Sequence, residues 1–491
     1  MKPLLYVLLF LGALCPALGQ SLLNANFEET DTATSTGLKY WRSKAVLKTS
    51  GDEKIRHAGM SCIRLQTPIG EQFVSFSQVV ALPPSTSLRK YRVTGFLKRD
   101  AVEQFAGIWI NVFAGDQSLF FNNMGDRALN GTADWIEISN DFFVDVAATR
   151  VQIGGLTVGK GTAWFDDFSL IELPLSKESL PDSLHSYLNE AIGIIQKNAL
   201  LRDSVNWPEV TDRAFLMASG ASNYAACYPA ISYVLKALGD HHSFLMPASM
   251  NKSWSASEPD AAQNLPLTTG KTLDGKYGYL QMPGVAVGDE TRTTYFADQL
   301  QNLLENLDRS KPIGWILDLR QNQGGNCWPM LAGIGPLLGE GACGFFMVPD
   351  QKGRPTPWMY KRGKSGEGKS VATKISRKPY KFQQKFPPVA VLTGPQTASS
   401  GEVVTVAFRK RPNTRSFGEP TAGLSTANQD YALRDSAMIL LTVSIYADRK
   451  KNLYGTQITP DEQIVGVDDA ELKDPVIEAA KRWLDQVNKK N

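Results

Sequence analysis

The chain has 491 residues, too many for one core of the usual ~100–200 residues, so at least two separately packed units are expected. Lysine and arginine number 52 against 49 acids, for a net charge of +3, and 43% of the residues are hydrophobic. That balance argues against a surface built to hold nucleic acid and against a long disordered tail.

Lys2, the apolar run from Leu4 to Leu14 and the small-residue stretch Pro16-Ala17-Leu18-Gly19 predict a signal peptide over residues 1–19, and with it a secreted or periplasmic protein. The run is shorter than the roughly 20 residues that cross a bilayer, and no later segment reaches that length, so no transmembrane segment is expected. Cleavage there removes Cys15 and leaves Cys62, Cys227, Cys327 and Cys343, which lack paired metal-ligand spacing. One Cys327–Cys343 bridge and four free thiols both remain open.

Residues 21–173 show short stretches of period two, such as Phe73 to Val80, Tyr91 to Phe96 and Ile108 to Phe113, broken by Gly, Asn, Asp and Pro. This pattern predicts an antiparallel sandwich. The opening Leu23-Asn24-Ala25-Asn26-Phe27-Glu28 and the closing Ala163 to Leu170 resemble the ends of the galactose-binding-like jelly rolls found as carbohydrate-binding modules. In that resemblance the two segments are strands paired in the sheet. A carbohydrate is then a possible ligand, stacked on an aromatic such as Trp41, Trp109, Phe120 or Phe121, although aromatics at alternating strand positions are more often core. Asp166 and Asp167 are too few to define a calcium site.

Past Pro174 the period changes. Leu184, Tyr187, Leu188, Ile192 and Ile195 recur at helical spacing, as do residues from Tyr224 to Leu238, which gives a helical lead-in over 180–250. An α/β core over 275–485 follows: strand Gly278 to Leu280, helix Thr293 to Leu307, strand Gly314 to Leu319, helix Trp328 to Leu338, strand Val389 to Thr393 and helix Ser400 to Phe408. The Lys-rich stretch Asp350 to Lys378 reads as an irregular, solvated excursion.

Two strand ends carry the chemistry. Val391-Leu392-Thr393-Gly394-Pro395-Gln396-Thr397-Ala398-Ser399-Ser400-Gly401-Glu402 is a strand, a turn and a helix start, where free amides and the positive end of the helix dipole favour an alkoxide or oxyanion. A helix cap is the plainer role for Ser399. Asp318-Leu319-Arg320-Gln321-Asn322-Gln323-Gly324-Gly325-Asn326 likewise follows a strand and ends in two glycines whose backbone can approach a ligand closely.

Together with Ser416-Phe417-Gly418-Glu419-Pro420-Thr421-Ala422-Gly423 and Ile458-Thr459-Pro460-Asp461, these blocks resemble the tail-specific (C-terminal processing) protease family and its tricorn-core relatives over residues 180–485. The resemblance implies a nucleophile at Ser399 and an oxyanion hole made by the amides of Gly324 or Gly325 and of Ser400. The usual general-base lysine is missing, because Leu424 holds its place and no lysine lies between Lys410 and Lys450. The tricorn-like branch draws a histidine from its helical lead-in, and Leu238-Gly239-Asp240-His241-His242-Ser243 is similar to that segment, which puts His242 in the base position. Where that branch keeps an orienting glutamate, this chain has Tyr454-Gly455-Thr456-Gln457. Glu419 and Glu402 are the substitutes, with Ser243 assisting.

The expectation is therefore an N-terminal β-sandwich followed by a tail-specific-protease-like core that hydrolyses peptides or proteins through an acyl-enzyme without metal or organic cofactor. A non-catalytic binding protein on the same fold and a carbohydrate-targeted esterase are the alternatives. Residues 246–276 are too short, and wrongly patterned, for the peptide-binding module that many tail-specific proteases insert there.

Overall fold

The structure, a computed structural model, describes residues 22–43, 55–68, 73–127, 129–255, 265–348, 355–465 and 473–489, so the expected signal peptide lies outside the described residues. The chain divides into two compact units, residues 1–180 with 215–222, and residues 181–214 with 223–491.

Among the described residues up to 180, the first unit is built of β-strands with one 3-10 turn at Gly125–Arg127. Its strands are β1 (Arg42–Ser43), β2 (Ile63–Gln66), β3 (Phe73–Ala81), β4 (Arg89–Val102), β5 (Phe105–Ala114), β6 (Gln117–Asn122), β7 (Gly131–Val144), β8 (Arg150–Val158) and β9 (Thr162–Leu173). They form two antiparallel sheets, ordered β1-β3-β8-β5-β6 and β2-β9-β4-β7. Inward residues of both, among them Phe76, Val93, Ile110 and Phe165, share one core, as the period-two pattern requires. The expected opening strand at Leu23–Glu28 is instead a chain of turns. Asn24 and Phe27 take φ of 49° and 59°, and the Asn24 side chain ties the backbone of Glu29 and Lys39. The Phe168 amide, donating to the Ala25 carbonyl at 2.8 Å, and the Phe27–Phe168 ring contact link this segment to the closing strand β9, whose sheet partners are β2 and β4.

Past residue 180 the chain forms helices α1 (Asp182–Asn198), α2 (Trp207–Ala218) and α3 (Tyr228–Lys236), then β10 (Phe244–Met246) and α4 (Ala248–Ser255). β11 (Thr269–Leu273), β12 (Tyr277–Gln281), α5 (Glu290–Asp308), β13 (Gly314–Asp318), α6 (Cys327–Leu338) and β14 (Gly341–Met347) follow. The chain continues through β15 (Thr356–Lys361), β16 (Lys364–Glu367), β17 (Thr373–Lys374), β18 (Val389–Thr393), α7 (Ser400–Phe408), β19 (Thr414–Gly418), β20 (Thr426–Ala432), β21 (Met438–Ala447), β22 (Glu462–Gln463) and α8 (Pro475–Asn488).

A six-stranded sheet runs β11-β12-β13-β18-β19-β22 and is parallel from β12 onward. Its central strands are buried on both faces. Trp315, Leu317, Val389 and Val391 face α5, α6 and α7, whereas Ile316, Ala390 and Leu392 face Val476, Ala480 and Leu484 of α8. The carboxyl ends of β13 and β18 therefore open side by side, where a parallel sheet presents its functional loops.

The second sheet is antiparallel, with β21 at its centre pairing β10, β14 and β20. The Lys-rich stretch is not an irregular loop: β15, β16 and β17 extend this sheet from β14. They form because Trp358 and Tyr360 alternate inward to the core while Arg362 and Gly363 make the turn. Lys361, Lys364 and Lys374 hold exposed positions of these strands.

Candidate active site

Two loops meet above β13 and β18, and side-chain and backbone bonds fasten them together. Thr397 Oγ1 donates to the Leu319 carbonyl at 2.9 Å, Ala398 N–H donates to the Asn322 carbonyl at 3.0 Å, and Ser400 Oγ donates to the Gly325 carbonyl at 2.6 Å. Ser399 sits at the joint with φ 50° and ψ −114°, a backbone conformation that a non-glycine residue rarely adopts and that costs on the order of 1–3 kcal/mol. The sharp turn lifts its side chain off the strand and puts it at the start of α7. Ser399 N–H donates to the Glu402 carboxylate at 2.8 Å, the returning half of a capping box, which holds the strained turn from behind.

Glycine is required twice here. Gly324 has φ +104°, and a Cβ on it would come 2.9 Å from Ser399 Cβ; Gly325 has φ +108°, and a Cβ on it would come 2.2 Å from the Val285 carbonyl oxygen. Gly324 N–H is taken by Asn322 Oδ1 at 3.1 Å, so of the two expected glycine amides this one is committed elsewhere. Among the described residues the amides of Gly325 and Ser400 have no acceptor, and their loops are joined by the Ser400 hydroxyl.

His242 arrives from the loop between α3 and β10. Asp240 builds that loop, accepting His242 N–H at 3.0 Å, Ser243 N–H at 2.8 Å and Ser243 Oγ–H at 2.6 Å. The His242 carbonyl accepts from Asn428 Nδ2 at 2.8 Å. The ring lies between two hydroxyls, with Nε2 3.1 Å from Ser399 Oγ and Nδ1 2.7 Å from Thr426 Oγ1. The residue is only 8% exposed, and burial pulls the imidazole pKa down to about 4 despite the opposing charge of Asp240. It is therefore neutral at physiological pH.

The expected orienting groups stand elsewhere. Glu419 meets β18 through its backbone, its amide donating to Thr393 O and its carbonyl accepting Thr393 Oγ1–H, and no bond joins it to His242 among the described residues. Ser243 Oγ is occupied by Asp240 and by the Thr442 amide. Glu402 is buried under the nucleophile, where it also accepts Thr421 Oγ1–H at 2.5 Å and Gly423 N–H at 3.1 Å. Burial pushes its pKa up to about 7 against those hydrogen bonds. Thr426 was unread in the sequence, because its partner lies 184 residues away and two uncharged groups leave no spacing signature.

These groups open onto a cavity of about 770 Å³. Trp328, Phe346, Val403 and Tyr446 give it an apolar wall beside Ser399, and Glu367 and Asp430 are its acidic members. Its floor includes Asn428 of β20, Met438 and Leu440 of β21 and Phe244 of β10. Cys327 lines it as a free thiol whose pKa burial pushes up to about 12, and Cys343 is free too, so no Cys327–Cys343 bridge exists. Among the described residues no cluster of His, Cys, Asp or Glu could hold a metal.

In the sandwich, Trp41 is core and Phe120 packs against the core, whereas Phe121 is 55% exposed with its ring centroid 6.3 Å from that of Trp109. Asp166 is buried and accepts the amides of His57 and Ala58, so its oxygens serve the fold.

A serine on a strained strand-to-helix turn, an imidazole at its hydroxyl and uncommitted amides beside it are the groups that nucleophilic serine hydrolases use. Residues 276–464 match the profile of peptidase family S41. The nisin-resistance protein of Lactococcus lactis subsp. lactis is 30% identical over 288 residues, which span 58% of this chain and 84% of that protein. A lipoprotein from Streptococcus agalactiae has the same fold at 22% identity, with TM-score 0.51 and coverage of 64% of this chain and all of that one. A carbohydrate-binding module solved with β-1,4-galactotriose matches 31% of this chain and 97% of its own at 20% identity and TM-score 0.22. The chain belongs to peptidase family S41, the tail-specific protease family.

Proposed function

We propose that this chain is an extracytoplasmic serine peptidase in which Ser399 attacks the scissile carbonyl and His242 serves as general base. The observation that carries the reading is the 3.1 Å contact between His242 Nε2 and Ser399 Oγ, made by a ring that is neutral at physiological pH. Nε2 takes the hydroxyl proton as Oγ adds to the carbonyl. The oxyanion is held by the amides of Gly325 and Ser400, with the N-terminus of α7 adding its dipole. Nε2 then returns the proton to the leaving amine, and water repeats the sequence on the acyl-enzyme. The apolar wall of Trp328, Phe346, Val403 and Tyr446 suits a hydrophobic substrate side chain next to the scissile bond.

A peptide or protein substrate follows from the family. Export is supported by the residue 1–19 pattern. Digestion of a mixed peptide library by the secreted protein tests the reading. Wild type is expected to cleave, and Ser399→Ala and His242→Ala are each expected to lose at least about 10³-fold in kcat. Equal cleavage by wild type and Ser399→Ala would refute it, and an intact library with folded wild type would favour a binding protein on the peptidase fold.

A further inference from the structure

We infer that Thr426 is the positioning residue of His242, taking with a neutral hydroxyl the place that a carboxylate holds in Ser-His-acid triads; the inference rests on the proposed Ser399–His242 chemistry. Thr426 Oγ1 lies 2.7 Å from His242 Nδ1, on the side of the ring opposite Ser399. Both residues are buried, Thr426 at 7% exposure and His242 at 8%, so the contact is shielded from water.

A threonine hydroxyl can accept the Nδ1 proton, and doing so leaves the Nε2 lone pair aimed at Ser399 Oγ–H. The opposite polarity, with the hydroxyl donating to Nδ1, puts the proton on Nε2 and disables the base. β20 is the element that fixes the arrangement. Thr426 holds the ring, while Asn428, past a bulge at Ala427, holds the His242 carbonyl and accepts Thr442 Oγ1–H at 2.9 Å. Two of the nearby carboxylates are engaged elsewhere, Asp240 by its own turn and Glu402 by Ser399, Thr421 and Gly423, and no hydrogen bond joins Asp430 or Glu367 to His242 among the described residues.

A neutral partner orients the imidazole without stabilising the imidazolium. The base therefore stays unprotonated in acid, where a carboxylate-paired histidine would be charged. Among the described residues the charged and titratable groups facing this part of the cleft are His241, Cys327, Glu367, Asp430 and Tyr446 on its walls, Asp240 in the histidine loop and Glu402 beneath the serine.

The test compares Thr426→Val, Thr426→Ser and Thr426→Asp in the full chain, using steady-state kinetics from pH 4 to 9 and ¹⁵N NMR of the His242 ring. Wild type is expected to carry its ring proton on Nδ1. Thr426→Val is expected to lose about ten- to a hundredfold in kcat with KM within about twofold, and to lose the single tautomer. Thr426→Ser is expected to restore both, and Thr426→Asp to move the acid limb of kcat upward by at least about one pH unit. A wild-type proton on Nε2 would overturn the inference. So would a Thr426→Val enzyme with unchanged kcat, pH profile and tautomer. Should Thr426→Val not fold, Thr426→Ser and Thr426→Asp still decide, because an unmoved acid limb in a folded Thr426→Asp enzyme also overturns it. Ser399→Ala and His242→Ala, run in parallel, separate this failure from failure of the peptidase reading, since activity persisting in either sinks that reading first.

Discussion

At Gly325 a single methyl group would collide with the Val285 carbonyl oxygen in a backbone region that side chains disfavour. Gly325→Ala is expected to rotate the amide out of the oxyanion position and lower kcat about 10²-fold or more, as loss of one such donor does. Steady-state kinetics on a peptide substrate would check this. Glu402 makes a second residue-scale case. Its oxygens accept from Ser399 N–H, Thr421 Oγ1–H and Gly423 N–H, so a Gln side chain there must point its amide hydrogens at one of these donors. Glu402→Gln is expected to cost about 1–3 kcal/mol in chemical denaturation and to lower kcat by loosening the strained serine turn. The strand-turn-helix around Ser399 and the glycine pair after β13 were legible in the sequence because both patterns are local, whereas the roles given to Ser399, Ser400 and the glycines came from the family resemblance. Thr426 was not legible, because only tertiary folding brings it to the histidine.

At the scale of elements, the βα order of the core was readable, since strands buried on both faces appear as apolar runs such as Trp315-Ile316-Leu317 and Val389-Ala390-Val391-Leu392. The hairpin extension β15–β17 was hidden because its surface is rich in lysine and only Trp358 and Tyr360 signal inward alternation. Trp358 is fully buried against Phe346 and Tyr446, both of which line the cavity. Trp358→Ala is accordingly expected to destabilise the second unit by about 3–5 kcal/mol, measured from urea midpoints. In the first unit the alternating strands were equally plain. The turn at Leu23–Glu28 was not, because local Asn24 hydrogen bonds outweigh the extended look of the segment.

At the scale of the whole molecule, two buried titrating groups of the site, His242 and Glu402, act on stability in opposite senses. His242 titrates near 4 folded against 6.5 unfolded, so its contribution is present above 6.5 and is lost as pH falls toward 4. Glu402 titrates near 7 folded against 4.5 unfolded, so its contribution is present below 4.5 and is lost as pH rises through 7. The two slopes oppose each other between about 4.5 and 6.5. His242→Gln removes one of them and is expected to gain stability relative to wild type as pH falls through that window, which urea titrations at several pH values would register. Peptidase activity is expected to keep its acid limb near pH 4, well below that of an unperturbed histidine base.

The most direct measurement is covalent. The full chain is treated with a fluorophosphonate, digested, and its labelled peptide mapped by mass spectrometry, with His242→Ala in parallel. The account predicts a single adduct on Ser399, formed at least about 10²-fold more slowly when the imidazole is absent. A folded protein that leaves Ser399 unlabelled, or that labels it equally fast without His242, would contradict the account.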